Sequence, residues 1–101
     1  MITEIVIIQV KDGHSEAFAA GYRQARELLI TTPGCLSAKM LWGVESPSRF
    51  IGVNEWESKE AHLENFRGDT ERYAKYRGLL MEHVSEAEPL IVEHYVDVMD
   101  G

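Results

Sequence analysis

The segment covering residues 50–66 changes from the residue period of a strand to that of a helix. In its first half, successive residues alternate between two faces, as the period of two of a β-strand requires. Ser58 is suited to cap the first turn of the helix that follows, because its hydroxyl can accept a hydrogen bond from an unpaired backbone amide. A helix that folds back on the sheet directly after a strand brings the side chains near the junction together. We therefore expect Asn54, Trp56 and His62 to meet in one cleft.

Six segments of the chain have the periodicity of regular secondary structure. They are strands over residues 2–10, 35–43, 49–56 and 90–99, a helix over residues 15–31, and a second helical region that starts near residue 58, breaks at Gly68 and resumes over residues 70–83. The order strand, helix, strand, strand, helix, strand is the split βαβ arrangement of a ferredoxin-like domain, an α+β fold with a four-stranded antiparallel sheet. A chain of 101 residues has the material for one such domain, spanning residues 1–101.

The strand over residues 2–10 is apolar in the middle of both its faces. A strand with one solvated face would carry a polar residue at every second position, so we expect both faces of the sheet to be covered. The helices of a ferredoxin-like domain cover only one face. Two copies of the chain with their sheets packed face to face would cover the other, and we therefore expect a homodimer that forms an α+β barrel.

The charge and hydropathy of the chain argue against several classes of partner. Asp and Glu outnumber Lys and Arg by 17 to 10, and the formal net charge of −7 repels the phosphates of nucleic acids and anionic lipids. The apolar runs are far shorter than the roughly 20 residues of a membrane-spanning helix, and the N-terminus lacks the pattern of a secretory signal. We expect a cytoplasmic protein with neither nucleic acid nor a membrane as its partner.

The residue types that bind metals and cofactors are few and scattered. Cys35 is the single cysteine, which excludes a disulfide within the chain and a site made of cysteine sulfurs. The four histidines lack the spacing of a metal motif such as HExxH, and no glycine-rich phosphate-binding loop is present. We therefore expect neither a metal nor a bound cofactor. We interpret His14, near a turn, and His94, on the last strand, as structural residues.

A set of short motifs extends over nearly the whole chain. They are Gly13 followed by Phe18, the turn Pro33-Gly34-Cys35, the run Asn54-Glu55-Trp56-Glu57-Ser58 with Ala61 and His62 behind it, Phe66, and the closing pair His94-Tyr95. In this order they resemble the antibiotic biosynthesis monooxygenase (ABM) domain family. The resemblance implies a dimeric α+β barrel. It also implies a range of activities, because the family includes cofactor-independent oxygenases of polyketide phenols, quinol monooxygenases and haem-degrading enzymes.

The resemblance to the polyketide oxygenases implies positions for the site residues. Trp56 falls on the strand-end tryptophan that borders their pocket. His62 falls six residues later, where those relatives carry a pocket tyrosine, and so departs from their pattern. Their pocket asparagine falls at Gly52, which leaves Asn54, two residues further on, as the candidate to replace it.

The enzymatic interpretation gives each candidate a step in the oxidation of a planar phenol, quinol or related aromatic. His62 removes the phenolic proton, and burial lowers its pKa so that it is a neutral base at neutral pH. Asn54 or a backbone amide holds the oxyanion, Trp56 forms a wall, and the electron-rich substrate reduces dioxygen without metal or flavin. The remaining predicted pocket residues are aromatic side chains and one histidine, namely Phe18, Tyr22, Phe66, Tyr73, Tyr76 and His83.

Two other interpretations stay open. A non-catalytic dimer would bind a small hydrophobic molecule, with Asn54 making a structural hydrogen bond and Trp56 packing in the core. The other interpretation is a haem protein. The resemblance, however, places the histidine that binds the haem iron in the haem-degrading relatives near Lys75 of this chain. His62 or His83 would then have to bind the iron instead.

Overall fold

The structure, a computed structural model that describes residues 1–100, contains one four-stranded antiparallel sheet. Its strands are β1 (Ile2–Gln9), β2 (Cys35–Trp42), β3 (Arg49–Trp56) and β4 (Ile91–Tyr95), and their order across the sheet is β2-β3-β1-β4. The helical elements are α1 (Ser15–Ile30), a π-helix (Ala61–Arg67), α2 (Thr70–Gly78) and a 3₁₀ turn (Met81–His83). This confirms the predicted ferredoxin-like α+β fold. No helix within residues 1–100 has both the length and the apolar character required to cross a lipid bilayer.

The core lies between the helices and one face of the sheet. Helix α1 turns a stripe of buried residues toward the sheet, at the intervals of three and four that an amphipathic helix requires: Phe18, Ala19, Tyr22, Ala25 and Leu29. Strand β3 alternates between buried and half-buried positions, and its buried residues are Phe50, Gly52, Asn54 and Trp56. The strand face predicted from the period of two is therefore confirmed.

Two predicted elements are longer than the observed ones. The helix predicted over residues 70–83 ends at Gly78, and the chain then turns so that the backbone of His83, Val84 and Ser85 pairs with the end of β1 and the residues after it. The strand predicted over residues 90–99 is confined to β4, which pairs only with Thr3 to Ile7 of β1. Beyond Ile7, this edge of β1 is occupied by Ser85 and Val84, which pair with Gln9 and Val10.

A β-bulge changes the predicted faces of β2. The register shifts between Cys35 and Ser37, so that Leu36 is the extra residue opposite β3. Leu36 is 51% exposed, although a period of two over this strand predicts that it shares a face with Ala38, which is buried. The alternation predicted for this strand therefore holds only after the bulge.

The other face of the sheet has no covering layer within a single chain. Its central residues are apolar and half-buried or exposed: Ile5, Ile7, Leu41, Ile51, Val53 and Ile91. Polar residues of this face lie at one end, where Thr3 and Glu55 pair, and on the two edge strands, where Lys39 pairs with Val53 and Glu93 with Ile5. The alternation of β1 thus gives one face to the helices and one apolar face to the exterior of the chain.

Replacement of Trp56 tests the assignment of the strand faces. The side chain is 0% exposed, so Trp56→Ala should lower the free energy of unfolding by about 3 to 5 kcal/mol through the loss of buried surface and the cavity it leaves. The control is Trp42→Ala, at a position that is 38% exposed, which should cost less. Urea denaturation measures both. A cost below about 1 kcal/mol for Trp56→Ala would contradict the burial of this strand face.

Candidate functional site

A row of polar residues crosses the sheet on its helix-covered face. Asn54 of β3 is paired with Glu4 of β1, and Glu4 is paired with His94 of β4. The next row on the same face is built instead of small and apolar residues, namely Gly52, Val6 and Val92. The polar row therefore interrupts an otherwise apolar surface beneath the helices.

The carboxylate of Glu4 is the centre of this row. Glu4 is only 4% exposed, and an isolated buried carboxylate would be strongly unfavourable. Its Oε1 accepts hydrogen bonds from Asn54 Nδ2 and from Trp56 Nε1, each at 3.0 Å. Its Oε2 lies 3.3 Å from His62 Nε2. Three N–H groups from two different elements thus converge on one buried acid.

The π-helix places His62 above the row. Ser58 Oγ accepts a hydrogen bond from the backbone N–H of Ala61 at 3.1 Å, so the helical region begins at the predicted cap. Gly34 lets the preceding turn lie close to this segment, because a Cβ atom built there would be 2.6 Å from the Cβ of Ala61. His62 is 1% exposed, and its ring stacks on Trp56 with centroids 5.1 Å apart.

Both ring nitrogens of His62 have partners. When Nε2 carries the proton and donates to Glu4, Nδ1 accepts from the Nε2–H of His94 across 2.8 Å. The three side chains therefore form a continuous chain from the buried carboxylate to the half-buried His94. Burial lowers the pKa of His62, and the charges of Arg67 and His94 act in the same direction, against the opposing effect of Glu4. The lowered pKa predicted for this histidine agrees with that direction.

A cleft lies between the polar row and the helices. Residues from both sides line it, among them Glu4, Asn54, His62, Phe66, Tyr73 and Tyr76. The volume of the cleft is about 80 Å³, roughly half of the 150 Å³ of an apolar cavity that holds benzene. With its open mouth included, the unfilled space reaches about 630 Å³. An aromatic ligand would therefore lie partly in the mouth.

Asn54 offers this cleft an unpaired acceptor, and only one of its two N–H groups is engaged by Glu4. Its Nδ2 is engaged by Glu4, whereas its Oδ1 is buried and has no hydrogen-bond partner within residues 1–100. The predicted role of Asn54 in holding an oxyanion stays a prediction, and it would need a hydrogen bond from the second N–H of Nδ2. The free oxygen can accept one from a ligand hydroxyl or N–H group.

The predicted pocket residues fall into two groups. Phe18, Phe66, Tyr73 and Tyr76 line the cleft with Asn54 and His62, whereas Trp56, Tyr22 and His83 do not. Trp56 lies against His62 and Phe66, at centroid distances of 5.1 and 6.1 Å, and packs in the core.

Tyr22 of α1 packs in the core, with its hydroxyl buried and unpaired in the part of the chain that the structure describes. The turn after α2 directs His83 toward His14, with 3.0 Å between their Nδ1 atoms. His83 therefore belongs to a separate contact and does not line this cleft.

Sequence reasoning missed two residues of the site, Glu4 and His94. Glu4 carries a visible signal, since it is the one charged residue on a strand face whose other members include Val6 and Ile8. A charge in such a position needs a buried partner. His94 was interpreted as structural, and only the pairing register of β1 with β4 places it opposite Glu4.

The histidines do not offer the cleft a ligand for haem iron. Both nitrogens of His62 are occupied by Glu4 and His94, and His83 contacts His14 outside the cleft. Across residues 1–100, no three His, Cys, Asp or Glu side chains are grouped so that they could hold a metal ion. The predicted alternative in which haem binds through His62 or His83 does not fit these contacts.

Comparison with known proteins relates the whole chain to one family. The sequence profile of the antibiotic biosynthesis monooxygenase family matches residues 1–77. A crystal structure of a putative antibiotic biosynthesis monooxygenase from Bordetella bronchiseptica has a TM-score of 0.87 and 34% sequence identity, over 96% of each chain. A putative antibiotic biosynthesis monooxygenase from Nitrosomonas europaea shares the fold at a TM-score of 0.80 with 24% identity, over 97% of this chain and 99% of the other. The uncharacterised protein YczJ of Bacillus subtilis is 29% identical over 98 residues, which are 97% of this chain and 100% of that protein.

The lowered pKa of His62 predicts how stability depends on pH. Its ordinary value is 6.5, so the unfolded chain binds more protons in acid than the folded one. The stability that neutral His62 contributes is therefore complete above about pH 6.5 and is lost as the pH falls below that value. His62→Phe should flatten this dependence in urea denaturation at a series of pH values. The control His83→Gln should leave it unchanged, and an equal slope in His62→Phe would contradict the assignment.

Proposed function

Because the chain belongs to the antibiotic biosynthesis monooxygenase family, we propose that it is a cofactor-independent monooxygenase of a planar phenol, quinol or related aromatic metabolite. The observation that carries this proposal is the unpaired oxygen of Asn54 beside the contact between Glu4 and His62. An acceptor next to a carboxylate and a neutral imidazole is suited to bind a hydroxyl and remove its proton. The aromatic wall of the same cleft is suited to hold the ring that carries it.

The substrate ring lies against the aromatic side chains of the helices. Phe66 meets Tyr73 and Tyr76 edge to face, with ring centroids 5.4 and 5.1 Å apart, and all three line the cleft. Aromatic rings favour such edge and offset contacts with a further ring. The substrate hydroxyl then reaches inward and donates to Asn54 Oδ1.

Glu4 and His62 together take up the phenolic proton. Both line the cleft, and the 3.3 Å contact between Oε2 and Nε2 allows a proton to be shared between them. His62 is in turn connected to His94, which is half-buried and gives the pair a route to solvent. The resulting phenolate is electron-rich and reduces dioxygen directly. One oxygen atom enters the ring as a quinone carbonyl, the other leaves as water, and the substrate supplies all the electrons.

A non-catalytic dimer that binds a small hydrophobic molecule is the second candidate. It is favoured by the fact that both nitrogens of His62 already have partners, which is also typical of a structural network. In this case Asn54 would bind the ligand without any chemistry. Binding of phenols without oxygen consumption would select this candidate.

We propose that two copies of the chain assemble through the uncovered sheet face. The exposed residues of that face include Leu41 and Ile91, at 48% and 46% exposure, and a face of this character is unfavourable in water. Packing against an equivalent sheet would bury it without changing the helix-covered face.

Light scattering tests the assembly. At micromolar concentration the particle should have twice the 11.5 kDa mass of the chain. Ile7→Lys, in the middle of the face, should shift the mass toward the single chain, because a buried lysine without a partner opposes packing. Ala74→Lys, on the exposed side of α2, is the control and should leave the dimer intact. A mass of 11.5 kDa for the unmodified chain would contradict the proposal.

Oxygen uptake with a panel of naphthols and quinols tests the activity. His62→Ala should lower turnover by about a hundredfold, the usual scale for a group that handles the proton, while the fold and the dimer persist. His62→Tyr, which restores the residue type of the polyketide oxygenases, should retain more activity than His62→Ala. His83→Ala is the control, because His83 lies outside the cleft. Equal turnover in His62→Ala would remove His62 from the reaction, and no oxygen uptake with any bound phenol would overturn the proposed function.

A further inference from the structure

We propose that the ligand of the cleft is an aromatic acid that carries a hydroxyl at one end and an anionic group at the other. This inference rests on the proposed function only in taking the same cleft as the ligand site, and it holds equally for an enzyme and for a binding protein. The charged residues that line the two ends of the cleft support this inference.

Two arginines form the outer end. Arg67 closes the π-helix and Arg77 lies near the end of α2, and both are exposed and line the cleft. Their guanidinium carbons lie 5.9 and 5.5 Å from the ring centroid of Tyr73, and Arg77 Nη1 also donates to the Tyr73 hydroxyl at 3.3 Å. The ring therefore holds two positive charges beside the mouth of the cleft.

These two arginines differ from the other two cations of α2, Arg72 and Lys75, in having no acidic partner within residues 1–100. Arg72 is paired with Asp69 and Lys75 with Glu71, both at 3.3 Å. Arg67 and Arg77 form no ion pair within residues 1–100, although Asp and Glu are in excess in the chain. An acidic group of a ligand would give each arginine the partner that it lacks, because guanidinium groups are well suited to bind carboxylates.

The inner end of the cleft requires a hydrogen-bond donor, whereas the outer end requires an anion. Asn54 Oδ1 is buried and unpaired there and needs a donor, while Glu4 supplies the only acidic side chain of the lining. A carboxylate at this end would be repelled by Glu4, whereas a hydroxyl would satisfy Asn54. The ligand is therefore oriented with its hydroxyl inward and its acid outward.

Phe66 sets the distance between the two ends. Its ring centroid is 6.3 Å from that of His62 and 5.4 Å from that of Tyr73. A molecule with one aromatic ring or two fused rings is long enough to extend past Phe66 and carry one substituent at each end. The buried end of the cleft, at Asn54, receives the hydroxyl, and the exposed end, at Arg67 and Arg77, holds the acid.

Isothermal titration with matched probes tests this inference without requiring turnover. The probes are a hydroxynaphthoic acid with its substituents at opposite ends of the ring system, its methyl ester, and naphthoic acid without the hydroxyl. The hydroxy acid should bind at least about tenfold more tightly than either of the others, since charge-assisted hydrogen bonds to an ionised group contribute on that scale. Its affinity should also fall as NaCl is raised from about 0.05 M to about 0.5 M, whereas that of the ester should not.

Variants locate the anion. The double variant Arg67→Gln and Arg77→Gln should lose about tenfold in affinity for the hydroxy acid and leave the ester within about twofold. Arg23→Gln, an exposed arginine of α1 outside the cleft, is the control and should change neither. Equal binding of acid and ester, an unchanged affinity in the double variant, or no binding of any probe would overturn the inference. Tight acid binding without oxygen uptake would overturn the proposed function alone, and turnover confined to neutral phenols would overturn the ligand class alone.

Discussion

The burial of the Glu4 carboxylate is the constraint on which the site depends. Removing a charged group from water is costly, and the cost is offset here by N–H groups of Asn54, Trp56 and His62. Two of these donors come from the end of β3 and one from the π-helix. Loss of any one of them would leave a buried acid short of a partner. The carboxylate therefore fixes how the strand end and the helical segment lie relative to one another.

Sequence patterns predicted the sheet and its layers because burial follows the period of two and the helical spacing directly. The faces of β3, the cap at Ser58 and the core stripe of α1 all depend on residues close together in sequence. The site depends on register between distant strands. Nothing in the local pattern places Glu4 opposite His94, and the bulge that exposes Leu36 is likewise set by pairing. The end of α2 was overestimated for the same reason, since the chain after it turns so that Val84 pairs with Val10.

The π-helix connects this register to the chemistry. Such segments are uncommon and are often found at functional sites. Here the segment presents both His62 and Phe66 inward, so that one ring contacts the carboxylate while the other forms the wall of the cleft. The turn before β2 supports it from the other side, through Asn65 Nδ2, which donates to Pro33 O at 2.7 Å, and through the close approach of Gly34. The Pro33-Gly34 turn and the π-helix therefore pack against each other.

Strand β1 contributes residues both to the site and to the uncovered face of the sheet. Glu4 and Val6 face the helices, whereas Ile5 and Ile7 between and beyond them form the middle of the uncovered face. A slip of one residue in its pairing would exchange the two sets, exposing the acid and placing an isoleucine beneath His62. The donors on Glu4 oppose such a slip because it would put Thr3 or Ile5 in the place of Glu4, and neither side chain can accept three hydrogen bonds. The polar row that prepares the cleft therefore also specifies which face of the sheet stays apolar and available for packing.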